Sequence, residues 1–143
     1  MIAVDTNVLL RYLLHDDPEQ STRADRVFGG VEDVLITDVV LAEAVWTLAG
    51  RRYSLSAGGV IGVVERLFGE PNVRFEDDQV VWRALQAYRG STAEDSAATR
   101  EMGFVDALVV GKAQWVAATA GERLKGVYTF NKAMQHLPGV ASP

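Results

Sequence analysis

Cysteine is absent from this chain of 143 residues, which removes disulfides and thiolate metal ligands from consideration. Histidine is nearly absent, and His15 and His136 alone cannot build a His-rich zinc centre. No run reaches the roughly 18 apolar residues that a membrane span requires. The first residues form a hydrophobic stretch without the basic flank of a signal peptide, so the expectation is a cytoplasmic protein with no membrane segment. Positive charge is also scarce: 14 Lys and Arg face 19 Asp and Glu, for a net charge of −5. Long-range electrostatics therefore oppose nucleic acid, and contact with it requires a local basic patch or a metal ion. What remains plentiful is carboxylate oxygen, the ligand of hard cations. An apolar fraction of 48% and a charged fraction of 23% fit one globular domain over residues 1–143.

The chain opens with Met1-Ile2-Ala3-Val4-Asp5-Thr6-Asn7, a short apolar run delivering one acid and two small polar residues. Followed directly by a helical pattern, it reads as a buried strand of a parallel sheet. Ligands bind at the carboxyl ends of such strands, so Asp5 stands where a site is expected. Residues 8–14 and 19–28 then predict two helices, the second stopped by Gly29-Gly30. Residues 34–37 predict the next strand, Asp38 the cap of a helix over 39–49, and 56–68 another helix. Residues 72–75 make a peripheral strand, and a helix opens at Asp77 or Asp78 with Val80, Val81, Ala84, Leu85 and Tyr88 on one face. The polar stretch 90–103 breaks the pattern as an insertion or flap. A long apolar helix over 104–119 and a strand over 126–131 complete it. Repeated alternation implies a three-layer α/β/α sandwich around a central parallel sheet.

Two acids interrupt otherwise apolar helices. Glu43 is the single charge of residues 39–49; it is expected to be buried, and a buried carboxylate must be paired, protonated or metal-bound. Arg11 and Arg52 are its candidate ion-pair partners. Asp106 shares its helix only with Lys112, six positions on and about 120° around the axis, so its partner must come from elsewhere. Taken singly, Asp5 serves as a helix cap and Asp106 as a first-turn acid complementing the helix dipole. Taken jointly, three acids gathered in one crevice repel unless a cation lies among them, and Mg²⁺ or Mn²⁺ suits such oxygen ligands.

The segments Val4-Asp5-Thr6-Asn7-Val8-Leu9, Val39-Val40-Leu41-Ala42-Glu43-Ala44-Val45-Trp46, Phe104-Val105-Asp106-Ala107-Leu108 and Tyr128-Thr129-Phe130-Asn131-Lys132, in that order, resemble the successive motifs of the PIN-domain family and, within it, of VapC-type toxins. The resemblance implies a Mg²⁺- or Mn²⁺-dependent endoribonuclease, paired with an antitoxin and often a homodimer. It carries Asp5, Glu43 and Asp106 over as metal-binding and catalytic acids, Thr6 and Asn7 as supporting residues, and Thr129 as a hydroxyl beside the last motif. Arg11, Arg51, Arg52 and Lys112 are candidate phosphate contacts on the RNA substrate. Asn131 departs from the pattern, standing where the family usually has a fourth Asp; an amide ligates a cation but adds no charge, so one ion is expected to be held more securely than two. Asp95, in the insertion-like stretch, is a candidate substitute.

Other sequence classes fit less well. A phosphatase of the haloacid dehalogenase type requires an acid where Asn7 stands, and a receiver domain requires paired acids after the first strand, where the chain has Asp5-Thr6. The non-enzymatic alternative is a degenerate PIN domain serving as a protein- or RNA-binding module. Trp46, Trp82 and Trp115 lie in apolar helical stretches and are expected in the core, or one or two of them in a dimer or antitoxin groove.

Overall fold

A computed structural model describes residues 1–93 and 102–143. They fall into two compact units, Met1–Asp78 and Gln79–Pro143.

In the first unit, strands β1 (Ile2–Ala3), β2 (Val34–Ile36) and β3 (Val73–Phe75) lie side by side in that order, and both pairings are parallel. The register sets Ile2 beside Val34 and Val34 beside Val73. β3 is thus an edge strand, the peripheral position expected of so short a run. Each helix begins at a polar cap whose side chain satisfies an otherwise orphaned backbone N–H. Asp5 caps α1 (Thr6–Leu14), Asp17 caps α2 (Pro18–Phe28) and Ser56 caps α4 (Ala57–Gly69). Pro18 occupies the first turn of α2, where a missing N–H costs nothing.

Asp38 was the expected cap of the next helix, and the structure moves that role back one residue. Thr37 Oγ1 accepts the N–H of Val40, and α3 runs Asp38–Ala49. Asp38 is then the first helical residue, and its own N–H donates to Glu76 Oε2 at 3.1 Å. The helices are pinned by a core in which Leu9, Ile36, Leu41, Val64 and Leu67 are fully buried, and Tyr12 stacks on Phe28 with ring centroids 4.0 Å apart. Ser21 Oγ, itself buried, donates to Arg11 O at 3.0 Å and ties α2 to α1.

The second unit holds most of α5 (Asp78–Ala93), then α6 (Phe104–Thr119), β4 (Val127–Tyr128), a 3-10 turn (Met134–His136) and β5 (Val140–Ala141). The five residues expected on one face of α5 are all buried. Tyr88 meets Phe104 edge-on at 6.2 Å. β4 is shorter than the expected strand because the chain turns at Thr129, and it pairs in parallel with β5. Residues 90–93 of the expected insertion continue α5; most of the remainder, with Asp95, lies outside the described residues. No helix among the described residues is long and apolar enough to cross a membrane.

Candidate active site

Asp5 follows β1 by two residues and adopts the extended backbone of a cap. Its Oδ1 accepts the N–H of Val8 at 2.9 Å, which fixes the carboxylate at the mouth of α1. Its second oxygen accepts no hydrogen bond among the described residues, and the side chain is exposed. The bland and the functional roles of Asp5 are therefore compatible, one oxygen serving each.

Thr6 supplies the partner that Glu43 requires. Its hydroxyl donates to Glu43 Oε2 at 3.0 Å, joining the first residue of α1 to the middle of α3. Neither predicted arginine fills that role. Arg11 is bound by Asp16 at 2.6 Å and by the Gln20 side-chain oxygen at 2.9 Å, and Arg52 lies over the ring of Tyr53. The Asp16 hydrogen bond raises the pKa of the Arg11 guanidinium, and the guanidinium in turn lowers that of Asp16.

The expected burial of Glu43 is overturned: the side chain is exposed. Apolar composition all round α3 suggested a wholly buried helix, but Val39 and Trp46 are also exposed, each at 73%. Positions 39, 43 and 46 fall on one helix face, so Glu43 sits in an apolar surface stripe. Trp46 is accordingly not a core residue, and Trp82 is 48% exposed. Trp115 is half-buried.

In the second unit Asp106 is half-buried, and its partner is local. The Gly103 N–H donates to Asp106 Oδ2 at 2.8 Å while the Asp106 N–H returns to Gly103 O at 3.1 Å. This is reciprocal capping at the start of α6. Thr129 Oγ1 accepts the Asn131 N–H at 3.0 Å, and Asn131 Oδ1 accepts the Ala133 N–H at 2.9 Å. Thr129 and Asn131 together form a tight turn at the end of β4, and the amide oxygen that a cation would use is engaged with backbone. Asn7, Arg51 and Arg52 are exposed, and Lys112 is half-buried.

One acidic group escaped sequence reasoning. Carboxylate atoms of Asp38, Glu76 and Asp77 lie within 4.8 Å of one another. Because β1, β2 and β3 run parallel, their carboxyl ends share one edge, and Asp5, Asp38 and the Glu76-Asp77 pair each lie within two residues of a strand end there. The signal was present as an acid shortly after every strand of the first unit, obscured by reading Asp38 and Asp77 only as helix starters. Arg23 also went unremarked; it is exposed and lines a cavity with Asp5.

The donors offered at this edge are carboxylate and hydroxyl oxygens, the set that Mg²⁺ and Mn²⁺ prefer. No curated protein and no solved structure matches the chain. The PIN domain family model matches residues 2–139, and PIN domains are in general metal-dependent nucleases of α/β/α architecture. The ordered motifs, the acid at the end of β1 and this match over almost the whole sequence agree, and the chain belongs to the PIN domain family.

Proposed function

We propose that this protein is a Mg²⁺- or Mn²⁺-dependent endoribonuclease and the toxin of a type II toxin–antitoxin pair. The observation that carries the reading is the Thr6–Glu43 hydrogen bond at 3.0 Å. It orients an exposed carboxylate that has no ion-pair partner among the described residues, through the residue that follows Asp5 in the chain. Among the described residues, Asp5 and Glu43 each retain a carboxylate oxygen that accepts no hydrogen bond, so both fit a hard cation. Asp106 is proposed as the third acid of the reaction.

In this mechanism Asp5 and Glu43 would hold the cation, and Thr6, through its hydrogen bond to Glu43, would fix the rotamer of that ligand. When bound, the ion supplies an activated water and neutralises charge developing on the phosphodiester. The carboxylates also repel the RNA backbone unless a cation is present, which makes cleavage strictly metal-dependent. Cleavage of single-stranded RNA in Mn²⁺, abolished by EDTA and by Asp5→Ala in a folded protein, is the expected result. Undiminished cleavage by Asp5→Ala would refute the assignment.

The antitoxin is proposed to cover the α3 stripe, with an Arg or Lys placed against Glu43 between Val39 and Trp46. Coexpression with the adjacent reading frame and size-exclusion chromatography tests this, and failure to co-elute counts against it.

A second reading is favoured by one specific observation, the engagement of Asn131 Oδ1 by the Ala133 N–H. It describes a PIN domain without turnover that serves as a protein- or RNA-binding module. Calorimetric titration with Mn²⁺ separates the two, since a chain with no affinity for the ion is not a metallonuclease.

A further inference from the structure

The first unit contains a cavity of about 380 Å³, within the range of roughly 300–1,000 Å³ typical of small-ligand sites. Asp5, Asn7, Arg11, Gln20, Arg23 and Val27 are among its lining residues, so it opens between α1 and α2 directly beside the carboxylate that ends β1. Its charges are unequal in availability. Arg11 is neutralised by Asp16 and further held by Gln20. Arg23 makes no hydrogen bond or ion pair among the described residues and is exposed.

Gln20 strengthens the asymmetry. Its Oε1 accepts from Arg11 Nε at 2.9 Å, and its amide NH₂, which can only donate, makes no hydrogen bond among the described residues. A free guanidinium, an amide donor and an apolar side such as Val27 match a sugar-phosphate: donors for the anionic oxygens and a dry surface for the sugar. Asp5 on the same lining disfavours an anion immediately against it. A phosphate is therefore better accommodated beside Arg23 than beside Asp5.

We infer that this cavity is a phosphate subsite for the RNA strand, in which Arg23 contacts the backbone of a nucleotide flanking the scissile one. The inference rests on the ribonuclease reading and names a residue for substrate positioning. Arg23 contributes affinity, and Arg11 serves to hold Gln20 in place.

The test measures binding of a fluorescently labelled single-stranded RNA by anisotropy between 50 and 200 mM salt, in a Glu43→Gln background that leaves the cavity lining unaltered. Arg23→Ala weakens binding about three- to tenfold at the lower salt and makes the slope of log K against log salt shallower by about 0.7. Arg23→Lys keeps the slope, because the charge remains. Because Arg23 lies on the exposed face of α2, thermal melts of both variants match the parent. Unchanged affinity and slope in Arg23→Ala overturn the subsite and leave the nuclease reading standing. Weaker binding with an unchanged slope also overturns it, since Arg23 then acts without a phosphate contact. A parent protein that binds no RNA overturns both.

Discussion

Thr6 Oγ1 and Glu43 Oε2 are 3.0 Å apart across a sequence separation of 37 residues. This single bond links the start of α1 to the middle of α3 and determines how Glu43 is presented to solvent. Thr6→Val replaces the hydroxyl with a methyl of similar shape. It lowers cleavage efficiency by about 10- to 100-fold, the usual cost of losing an outer partner of a metal ligand, whereas Thr6→Ser retains most activity. Steady-state cleavage at saturating Mn²⁺ measures both, and equal rates for Thr6→Val and the parent would refute the role.

Asp5 is both cap and candidate ligand, and two substitutions separate the roles. Asp5→Asn keeps a good cap acceptor for the Val8 N–H, while Asp5→Ala removes it at a cost of about 1 kcal/mol. Chemical denaturation is expected to show a loss for Asp5→Ala and little change for Asp5→Asn. Both abolish Mn²⁺-dependent cleavage.

Asn131→Asp introduces a charge without disturbing the turn, because a carboxylate oxygen accepts the Ala133 N–H as the amide does. Mn²⁺ binding tightens by about tenfold, in keeping with the dependence of hard-cation affinity on ligand charge, and cleavage rises. Calorimetry beside a cleavage assay reads the two effects. No gain in either shows that residue 131 lies outside the cation site.

Stability at alkaline pH reports on Tyr12. Burial, reinforced by its hydrogen bond to Glu70, pushes the phenol above its ordinary pKa. The neutral phenol is thus favoured in the folded state. Its contribution is fully present below the unfolded value of about 10 and is lost as pH rises through the higher folded value. Tyr12→Phe lowers stability near neutrality by about 1 kcal/mol and flattens the decline above pH 10. Some slope remains, because burial raises Tyr88 as well. Denaturant midpoints between neutral and strongly alkaline pH provide the check.

Local signals were legible where backbone chemistry is local. The boundaries of α6 follow from a continuous apolar run opened by Gly103, and the cap Asp5 follows from an acid placed just before helical periodicity. The acids at 5, 43 and 106 were singled out from their settings, Glu43 through an expected burial that the structure does not show. What failed was inference from composition to burial: α3 is apolar on every side, yet Val39, Glu43 and Trp46 are exposed. A surface stripe and a core stripe are written with the same residues. The Asp38, Glu76 and Asp77 group was hidden for a different reason. Its members come from the ends of two strands, and only the pairing of β2 with β3 brings them together. β5 has the same origin, since two residues carry no periodicity and become a strand only through β4.

The parallel alignment of β1, β2 and β3 has a kinetic consequence. It gathers acids from three strand ends onto one rim, and that rim repels a polyanion until positive charge has been loaded onto it. If the chain cleaves RNA as proposed, the cation would bind ahead of the nucleic acid. On the proposed nuclease reading, the occupancy of the ion would govern whether substrate is admitted, and the concentration of free divalent metal would act as a control on cleavage.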